Sequence, residues 1–216
     1  ATVSAVMHPA VLVPEGKFDA SWLRLFGRIA DLTELPDDPQ DATFTHEVGV
    51  IPTKDARIDE TYRDLAMVHP AITCLVDGDG AGNDYKAALS GGASPCPRVI
   101  QWPNGWMIED VVAWVCAADA TVIAHADLVP YALPANIGDL AAYLKSDGAK
   151  RDEILHGTLA DAIVGKAACS RRARHVLSVL AAIATGKPPP TNSAAPLVHA
   201  NGVTIYWTFN NAFPGI

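Results

Sequence analysis

Short apolar runs alternate with amphipathic patterns along the first half of the chain. The uninterrupted run at 71–76 is typical of a strand buried on both faces, and such strands belong to parallel sheets covered by helices. Between the runs, apolar residues recur three and four positions apart, which is helical spacing. This alternation predicts an α/β fold with a mainly parallel sheet flanked by helices. The predicted strands cover 10–13, 43–51, 71–76 and 98–102, the predicted helices cover 18–29, 58–67 and 109–118, and a loop covers 32–42.

After residue 118 the pattern becomes helical, and strand signals disappear until the tail. Apolar residues recur at helical spacing through 137–143, 154–164 and 173–184, and Gly186-Lys187-Pro188 is expected to end the last helix. The β-branched and aromatic segment 203–209 predicts a final strand. The predicted organisation is a core formed by 1–118, an inserted helical subdomain at 119–165, and a returning helix and last strand of the core at 166–216.

Composition narrows the class of protein. The 216 residues are 50% hydrophobic and 19% charged, which excludes a disordered chain and indicates one ordinary domain with a modest insertion. No apolar run approaches the roughly 18 residues of a membrane span, so no membrane partner is expected. The formal net charge of −8 argues against a broad basic face for nucleic acid. The first residue is Ala rather than Met, and we expect the chain to be a piece of a longer protein.

Cysteine and histidine usage argues against a zinc site. The four cysteines show neither a CxxC pair nor zinc-finger spacing, and the seven histidines include no HExxH motif. Cys74 and Cys116 lie in apolar runs, where a free cysteine behaves as a small hydrophobic residue. The chain has no GxxxxGK[ST] motif, so it carries no P-loop. This pattern of cysteines predicts a reducing, cytoplasmic location.

Carboxylates follow three of the predicted strands near the point where each strand ends. Asp77 and Asp79 come directly after the run at 71–76, Glu15 follows the first strand, and Glu109 lies between the strand at 98–102 and the next helix. Ligands bind at the carboxyl ends of strands in open α/β sheets, so we expect these acids to converge. Close carboxylates repel each other unless a cation lies between them, and oxygen ligands favour Mg²⁺, Mn²⁺ or Ca²⁺.

Each acidic feature also has an ordinary structural interpretation. Asp-Gly-Asp-Gly is a common turn, and an acid at a helix start complements the helix dipole. An EF-hand loop starting at Asp77 is excluded, because its positions five and twelve would be Ala81 and Ala88. The convergence of several acids, rather than any one of them, favours a metal site.

The order of these motifs resembles the Toprim domain, which is shared by bacterial primases, topoisomerases and OLD-family (overcoming lysogenization defect) nucleases. Glu15-Gly16 and Asp77-Gly78-Asp79 match the two Toprim signatures. The chain is most similar to the C-terminal Toprim region of OLD-family nucleases, whose pattern is Glu-Gly-x-x-Glu, Asp-x-Asp, Ile-Glu and a lysine beyond a helical insert. Asp19 stands in place of the second glutamate, and Ile108-Glu109 matches the third motif. The resemblance covers nearly the whole chain.

This resemblance implies a DNA endonuclease or nickase that hydrolyses phosphodiester bonds with two divalent cations, Mg²⁺ or Mn²⁺, with Ca²⁺ as a further candidate. It assigns metal binding to Glu15, Asp19, Asp77, Asp79 and Glu109, with Glu15 and Asp77 also counted as catalytic. Lys166 is the expected catalytic lysine, which would stabilise charge on the phosphoryl group, and Lys150 and Lys145 are alternatives. The resemblance also implies an N-terminal ATPase domain that is absent from this chain.

Four basic residues are predicted to contact DNA. Lys17 lies inside the first motif, and Arg171, Arg172 and Arg174 follow Lys166 on one predicted helix. Contacts of this kind position DNA through its phosphates without reading bases, so largely sequence-independent binding is expected.

Three alternatives stay open. A primase- or topoisomerase-like Toprim domain is the nearest, although no zinc-ribbon cysteines support it. A non-catalytic Toprim interaction module is favoured by Asp19 and by Met107, which stands where a polar residue would support the metal ligands. Phosphatases of the haloacid dehalogenase type also place Asp-x-Asp after a buried strand, but they normally have Thr or Val at the position of Ala81.

Overall fold

A mainly parallel sheet organises the computed structural model, which describes residues 2–35, 44–53, 57–91, 93–189, 194–200 and 203–208. Among these residues, six strands are ordered β2-β1-β3-β4-β6-β5. Neighbouring strands pair in parallel except β5 and β6, which are antiparallel. The strands are β1 (Ala10–Pro14), β2 (Val48–Val50), β3 (Ile72–Val76), β4 (Arg98–Gln101), β5 (Ala194–Ala200) and β6 (Val203–Thr208).

Helices occupy most of the remaining described residues. They are α1 (Thr2–Ala5), α2 (Lys17–Leu32), α3 (Phe44–Glu47), α4 (Ile58–Ala66), α5 (Gly80–Ser90), α6 (Ile108–Cys116), α7 (Ile137–Lys145), α8 (Asp147–Arg151), α9 (Glu153–Ile163) and α10 (Ala167–Ala184), with a 3-10 helix at Ala126–Tyr131. None of the described helices has the length and apolar character needed to cross a membrane.

The chain divides into two compact units. Unit 1 consists of Ala1–Ala20, Thr43–Met107 and Ser178–Ile216 and contains the sheet. Unit 2 consists of Ser21–Ala42 and Ile108–Leu177, and its described part is helical. The predicted boundaries at residues 118 and 165 stay a prediction.

The apolar runs become the buried strands of unit 1. Every residue of β1 and β3 is buried. Alternate strand residues join one apolar cluster with side chains of α4, α5 and the segment before β4, as expected from the two-residue period of a strand. The principal members are Val11, Val13, Ile72, Cys74, Val76 and Val99 from the strands, with Ile58, Tyr62, Leu65, Leu89 and Cys96.

Helix termini in unit 2 follow local chemistry. Asn136 caps α7 by accepting from the backbone N–H groups of Gly138 and Asp139, and Asp152 caps α9 in the same way. Gly165 has a φ of +80°, a left-handed conformation that separates α9 from α10 at low cost only for glycine. Inside the unit, the Trp22 ring lies 4.7 Å from the His156 ring, centroid to centroid.

The predicted fold class is confirmed: the structure is α/β with a mainly parallel sheet flanked by helices, consistent with a Toprim-like fold. The strand predicted at 43–51 is wrong in its first part, because residues 44–47 form α3 and pairing with β1 begins only at Val48. Residue 43 and most of the loop predicted at 32–42 lie outside the described residues, and α2 continues to Leu32. The sequence did not predict α5 or β5.

Candidate functional site at the ends of β1 and β3

Glu15 and Asp77 meet at the ends of two neighbouring parallel strands. Each is the first residue after its strand, β1 or β3. The Glu15 Oε2 atom accepts a hydrogen bond from the backbone N–H of Asp77 at 2.9 Å. The backbone carbonyl of Glu15 accepts from the hydroxyl of Thr53, which follows β2. Glu15 therefore connects the ends of three adjacent strands, β2, β1 and β3. The sequence predicted that the ends of β1 and β3 meet.

The loop that carries Asp77 is held by close main-chain contacts. Gly78 donates its N–H to the Trp106 carbonyl at 2.8 Å and accepts from the Gly105 N–H at 2.8 Å. A Cβ atom at Gly78 would lie 1.8 Å from the Pro103 carbonyl oxygen, which is closer than any side chain tolerates. This approach requires glycine, and the neighbouring residue Asp77 is buried at the strand end.

Asp79 begins α5 as its N-cap residue. Its Oδ1 atom accepts the backbone N–H of Gly82 at 2.8 Å. This bond satisfies one of the backbone donors at the helix start, and the carboxylate charge complements the helix dipole. The sequence left open an ordinary turn at Asp79, whereas the structure makes this residue the cap of a helix; its cation-binding role stays a prediction.

A buried amide network supports Asp77 from the next strand. Gln101, the last residue of β4, is 2% exposed and donates Nε2–H to the Asp77 carbonyl at 3.2 Å and to Asn83 Oδ1 at 3.0 Å. Its Oε1 atom accepts from Lys86 Nζ at 2.7 Å, and Lys86 also donates to Asn83 Oδ1 at 2.9 Å. Both acceptors are neutral, so the network fixes the loop after β3 without neutralising the ammonium group.

Asp19 lies in the first turn of α2 and is 7% exposed. A Cβ atom at Gly16 would lie 3.0 Å from Asp19 Oδ2, so the glycine of the first motif leaves room for this carboxylate. Lys17 is exposed, and its Nζ lies 4.8 Å from the centroid of the Phe18 ring, a cation–π arrangement.

The electrostatic character of this edge is visible at Tyr85 on α5. Burial raises the pKa of the Tyr85 phenol, and the negative charges of Glu15, Asp79 and Asp84 raise it further. Tyr85 therefore remains a neutral O–H donor over the physiological range. The smaller, electrostatic part of the shift arises from the carboxylates near the strand ends.

Glu109, the fifth predicted ligand, belongs to unit 2. It lies in the first turn of α6 and is 1% exposed. Its Oε1 atom lies 3.4 Å from Lys150 Nζ, and the neighbouring Asp110 pairs with Lys145 Nζ at 2.7 Å. The structure thus places Lys150, an alternative for the catalytic lysine, beside one predicted ligand.

Lys166, the expected catalytic lysine, has different surroundings in unit 2. It is half-buried at the start of α10. The Asp119 carboxyl has a lowered pKa because of hydrogen bonds from Thr121, and the charge of Lys166 lowers it further. Within its own unit, Lys166 is therefore an electrostatic neighbour of Asp119.

Two of the predicted DNA-binding arginines have partners within unit 2. The Arg172 guanidinium lies 4.5 Å from the centroid of the Trp114 ring and donates to the Trp114 carbonyl. Arg174 donates to the Ala30 carbonyl at 2.8 Å and to the Thr33 carbonyl at the end of α2. Arg171 is exposed. The first two side chains contribute to packing, and DNA contact stays a prediction for all of them.

The carboxylates suit a hard divalent cation by chemistry, because Mg²⁺ and Mn²⁺ prefer oxygen ligands. In the part of the chain that the structure describes, no group of three or more His, Cys, Asp and Glu side chains is arranged to hold a metal ion. Glu15 and Asp79 each accept a backbone N–H instead. Each of these hydrogen bonds uses one oxygen of its carboxylate, so the second oxygen could contact a cation while the hydrogen bond is kept.

Sequence reasoning missed the supporting residues Gln101, Asn83 and Lys86. Asn83 and Lys86 are three residues apart and share one face of α5. That spacing indicates a shared helix face only if Asp79 is taken as the cap of a helix. The glycines at positions 80 and 82 make the start of this helix hard to recognise in the sequence. Gln101 carries no local signal, since its partners come from the neighbouring strand and from α5.

Comparisons of the chain with known protein families, curated proteins and solved structures found no match.

Proposed function

We propose that this chain carries the catalytic region of a divalent-metal-dependent DNA endonuclease or nickase. The observation that supports the proposal most directly is the 2.9 Å contact between Glu15 Oε2 and the Asp77 backbone nitrogen, at the adjacent ends of β1 and β3. This edge is where open α/β sheets bind ligands. The resemblance to the Toprim region of OLD-family nucleases suggests the reaction.

In this proposal, the acidic side chains bind two divalent cations, Mg²⁺ or Mn²⁺. The ligands are Glu15, Asp19, Asp77, Asp79 and Glu109. When bound, such cations activate water and stabilise the leaving oxygen of a phosphodiester. The chain itself positions Asp77. Gln101 holds the Asp77 carbonyl, and the contacts of Gly78 with Pro103 and Trp106 hold the loop. These supports restrict where the Asp77 carboxylate can lie.

The proposal also needs a positive charge for the phosphoryl group. Lys166 is the residue suggested by the resemblance, whereas the 3.4 Å contact with Glu109 supports Lys150. DNA would be bound through its phosphates with little sequence preference, with Lys17 and Arg171 as the exposed contacts. A preceding ATPase domain and a cytoplasmic setting, which suits four free cysteines, belong to the same proposal.

Cleavage of supercoiled plasmid DNA tests the proposal. The protein is incubated with Mg²⁺, Mn²⁺, Ca²⁺ or EDTA, and nicked and linear products are measured. We expect cleavage that requires metal and falls by about 10²–10³-fold in Asp77→Asn, since the charge that binds metal is lost. Asp79→Asn removes the carboxylate charge but keeps the helix cap, because Asn caps a helix as well as Asp does. A loss of cleavage in this variant therefore reports on chemistry rather than on folding. Asp31→Asn, at an exposed site in unit 2, is the matched control.

The two lysines are compared in the same assay. Lys150→Met and Lys166→Met are each measured for cleavage and for Mn²⁺ affinity. The catalytic lysine is the one whose loss slows cleavage while metal affinity is retained. If both variants cleave at the wild-type rate, neither lysine has the proposed role.

A non-catalytic Toprim-like interaction module is the second candidate. This candidate is favoured because the described residues contain no group of three or more His, Cys, Asp and Glu side chains arranged to hold a metal ion. No cleavage with any of the three metals, from protein whose circular dichroism shows it folded, would reject nuclease activity of this chain and leave the module.

A further inference from the structure

Two thiols lie side by side in the core of unit 1. Cys74 is in the middle of β3, and Cys96 lies in the segment between α5 and β4. Their Sγ atoms are 3.6 Å apart, and both side chains are fully buried in the apolar cluster between the sheet, α4 and α5. We propose that Cys74 and Cys96 are a dithiol that a low-molecular-weight disulfide oxidises to an internal disulfide bond.

The geometry requires only a small movement. A disulfide has an S–S distance of about 2.05 Å, so the sulfurs must approach each other by roughly 1.5 Å. The Cys96 thiol lies 3.1 Å from the Arg98 carbonyl, and the Cys96 backbone N–H is bonded to the Leu89 carbonyl at 2.8 Å. These contacts fix the position of Cys96, and in that position its sulfur lies 3.6 Å from that of Cys74.

The proposed step is thiol–disulfide exchange with glutathione disulfide. One of the two thiols loses its proton and attacks a glutathione sulfur, breaking the glutathione S–S bond and releasing one glutathione thiolate. The second cysteine thiolate attacks the mixed disulfide, forms the Cys74–Cys96 bond and releases the other glutathione. Two protons and two electrons pass from the cysteine pair to glutathione disulfide, which becomes two glutathione thiols.

Burial controls the rate of this step. Burial raises the pKa of the Cys74 thiol, which disfavours the reactive thiolate in the closed structure. The oxidant therefore reacts during local opening, and the folded state determines which pair is joined. The bond closes a loop between two cysteines 22 positions apart in sequence that contains Asp77, Asp79 and all of α5.

Refolding in a redox buffer tests the pairing without depending on access to the core. The chain is unfolded in urea and refolded in mixtures of oxidised and reduced glutathione. Free thiols are then blocked with N-ethylmaleimide, and linked peptides are identified by mass spectrometry. We expect one dominant linkage, Cys74 to Cys96, in protein with a folded circular-dichroism spectrum. The proposal is overturned if the protein folds in fully oxidised glutathione and both cysteines are still free thiols that N-ethylmaleimide alkylates. It is also overturned if another cysteine pair dominates.

Stability provides a second measurement. In the loop-entropy account, the bond lowers the unfolding equilibrium constant by about 300-fold, so the urea midpoint of the oxidised protein is higher and returns to the reduced value on reduction. Cys96→Ser should abolish this redox dependence, and Cys116→Ala, at a buried cysteine of unit 2, should retain it. The same redox dependence in Cys96→Ser and in wild type would contradict the assignment.

Discussion

At the residue scale, a few polar contacts decide how the acidic edge of the sheet behaves. The Glu15 carboxylate bonds a backbone N–H, Asp79 caps a helix, and Gln101 supports the carbonyl of Asp77. The first two hydrogen bonds stabilise carboxylate charges without a cation, and the third holds the backbone that carries Asp77. Burial raises the pKa of the Tyr85 phenol, and the nearby carboxylates raise it further.

Removing one of these carboxylates should release part of the shift at Tyr85. We expect Glu15→Gln to move the Tyr85 pKa down towards its ordinary value near 10. The phenolate absorbance is followed in a pH titration, with Tyr85→Phe identifying the contribution of this tyrosine. Because the pKa of Tyr85 is raised in the native protein, the neutral phenol contributes to the stability of the fold. This contribution is fully present below the ordinary pKa and is lost as pH rises through the native pKa. An unchanged Tyr85 titration in Glu15→Gln would remove Glu15 as a source of the shift.

Protonation of His156 should destabilise unit 2. The His156 Nε2 atom lies 2.9 Å from the Ala149 carbonyl, so Nε2 carries the proton in the neutral ring. Burial lowers the pKa of His156, and the hydrogen bond with the Ala149 carbonyl and the charges of Glu109, Asp152 and Glu153 oppose that shift only in part. Stability from the neutral ring is present above the ordinary pKa near 6.5 and is lost as pH falls through the native value.

Two measurements check this expectation. NMR titration should show His156 titrating below the ordinary histidine range. In urea unfolding, His156→Gln should lose less stability than wild type when the pH falls from about 7 to about 5, because glutamine does not titrate. Equal losses in the two proteins would show that other groups cause the acid sensitivity.

At the element scale, the junction between β3 and α5 is the most constrained part of unit 1. The strand ends, the chain passes through Asp77, Gly78 and Asp79, and α5 begins at Gly80. A Cβ atom at Gly82 would lie 2.0 Å from the Asp77 carbonyl oxygen, whereas a Cβ atom at Gly80 meets nothing within 4 Å. The two glycines of this helix start therefore have different reasons to be there.

This difference predicts opposite effects of the same substitution. Gly82→Ala should lower the free energy of unfolding by about 3 kcal/mol, in the upper range for overpacked sites, because backbone atoms must move. Gly80→Ala should be neutral or raise it by up to about 1 kcal/mol, because alanine favours helix and has open space. Urea unfolding measures both. A loss in Gly80→Ala as large as that in Gly82→Ala would show that helix-start flexibility, rather than the Asp77 contact, sets the requirement.

At the scale of the whole molecule, a chain with a formal net charge of −8 gathers carboxylates at one edge of the sheet in unit 1. A cation that binds there in the folded state alone shifts the folding equilibrium towards the native state by mass action. The cation also relieves repulsion among charges that folding brings close. Thermal unfolding therefore reports on the proposed metal site independently of DNA cleavage.

Mn²⁺ should raise the melting temperature of the wild-type protein. At a concentration about 100 times the dissociation constant, binding adds about 2.7 kcal/mol to the free energy of unfolding. Asp77→Asn should lose most of this increase, and Asp31→Asn, which removes the same charge from an exposed position, should keep it. Equal increases in all three proteins would indicate general charge screening rather than a site.

Local signals in the sequence determined most of the elements. Burial on both faces requires apolar side chains at every position, so the run at 71–76 predicts β3 without reference to the rest of the chain. Gly186, with a φ of +75°, and the prolines after it end α10 as predicted, because backbone preferences are local. The element disguised by its composition, α5, was missed.

Only the tertiary structure decided which residues meet. Parallel pairing of β1 with β3 brings Glu15 to Asp77 across 62 positions, and the return of the chain from α5 to β4 brings Cys96 to Cys74. In unit 2, packing places Lys150 rather than Lys145 beside Glu109. Such contacts depend on strand order and helix packing. Both are determined by many weak interactions along the whole chain. Local sequence patterns fix the elements, whereas partners distant in sequence are chosen by how those elements pack.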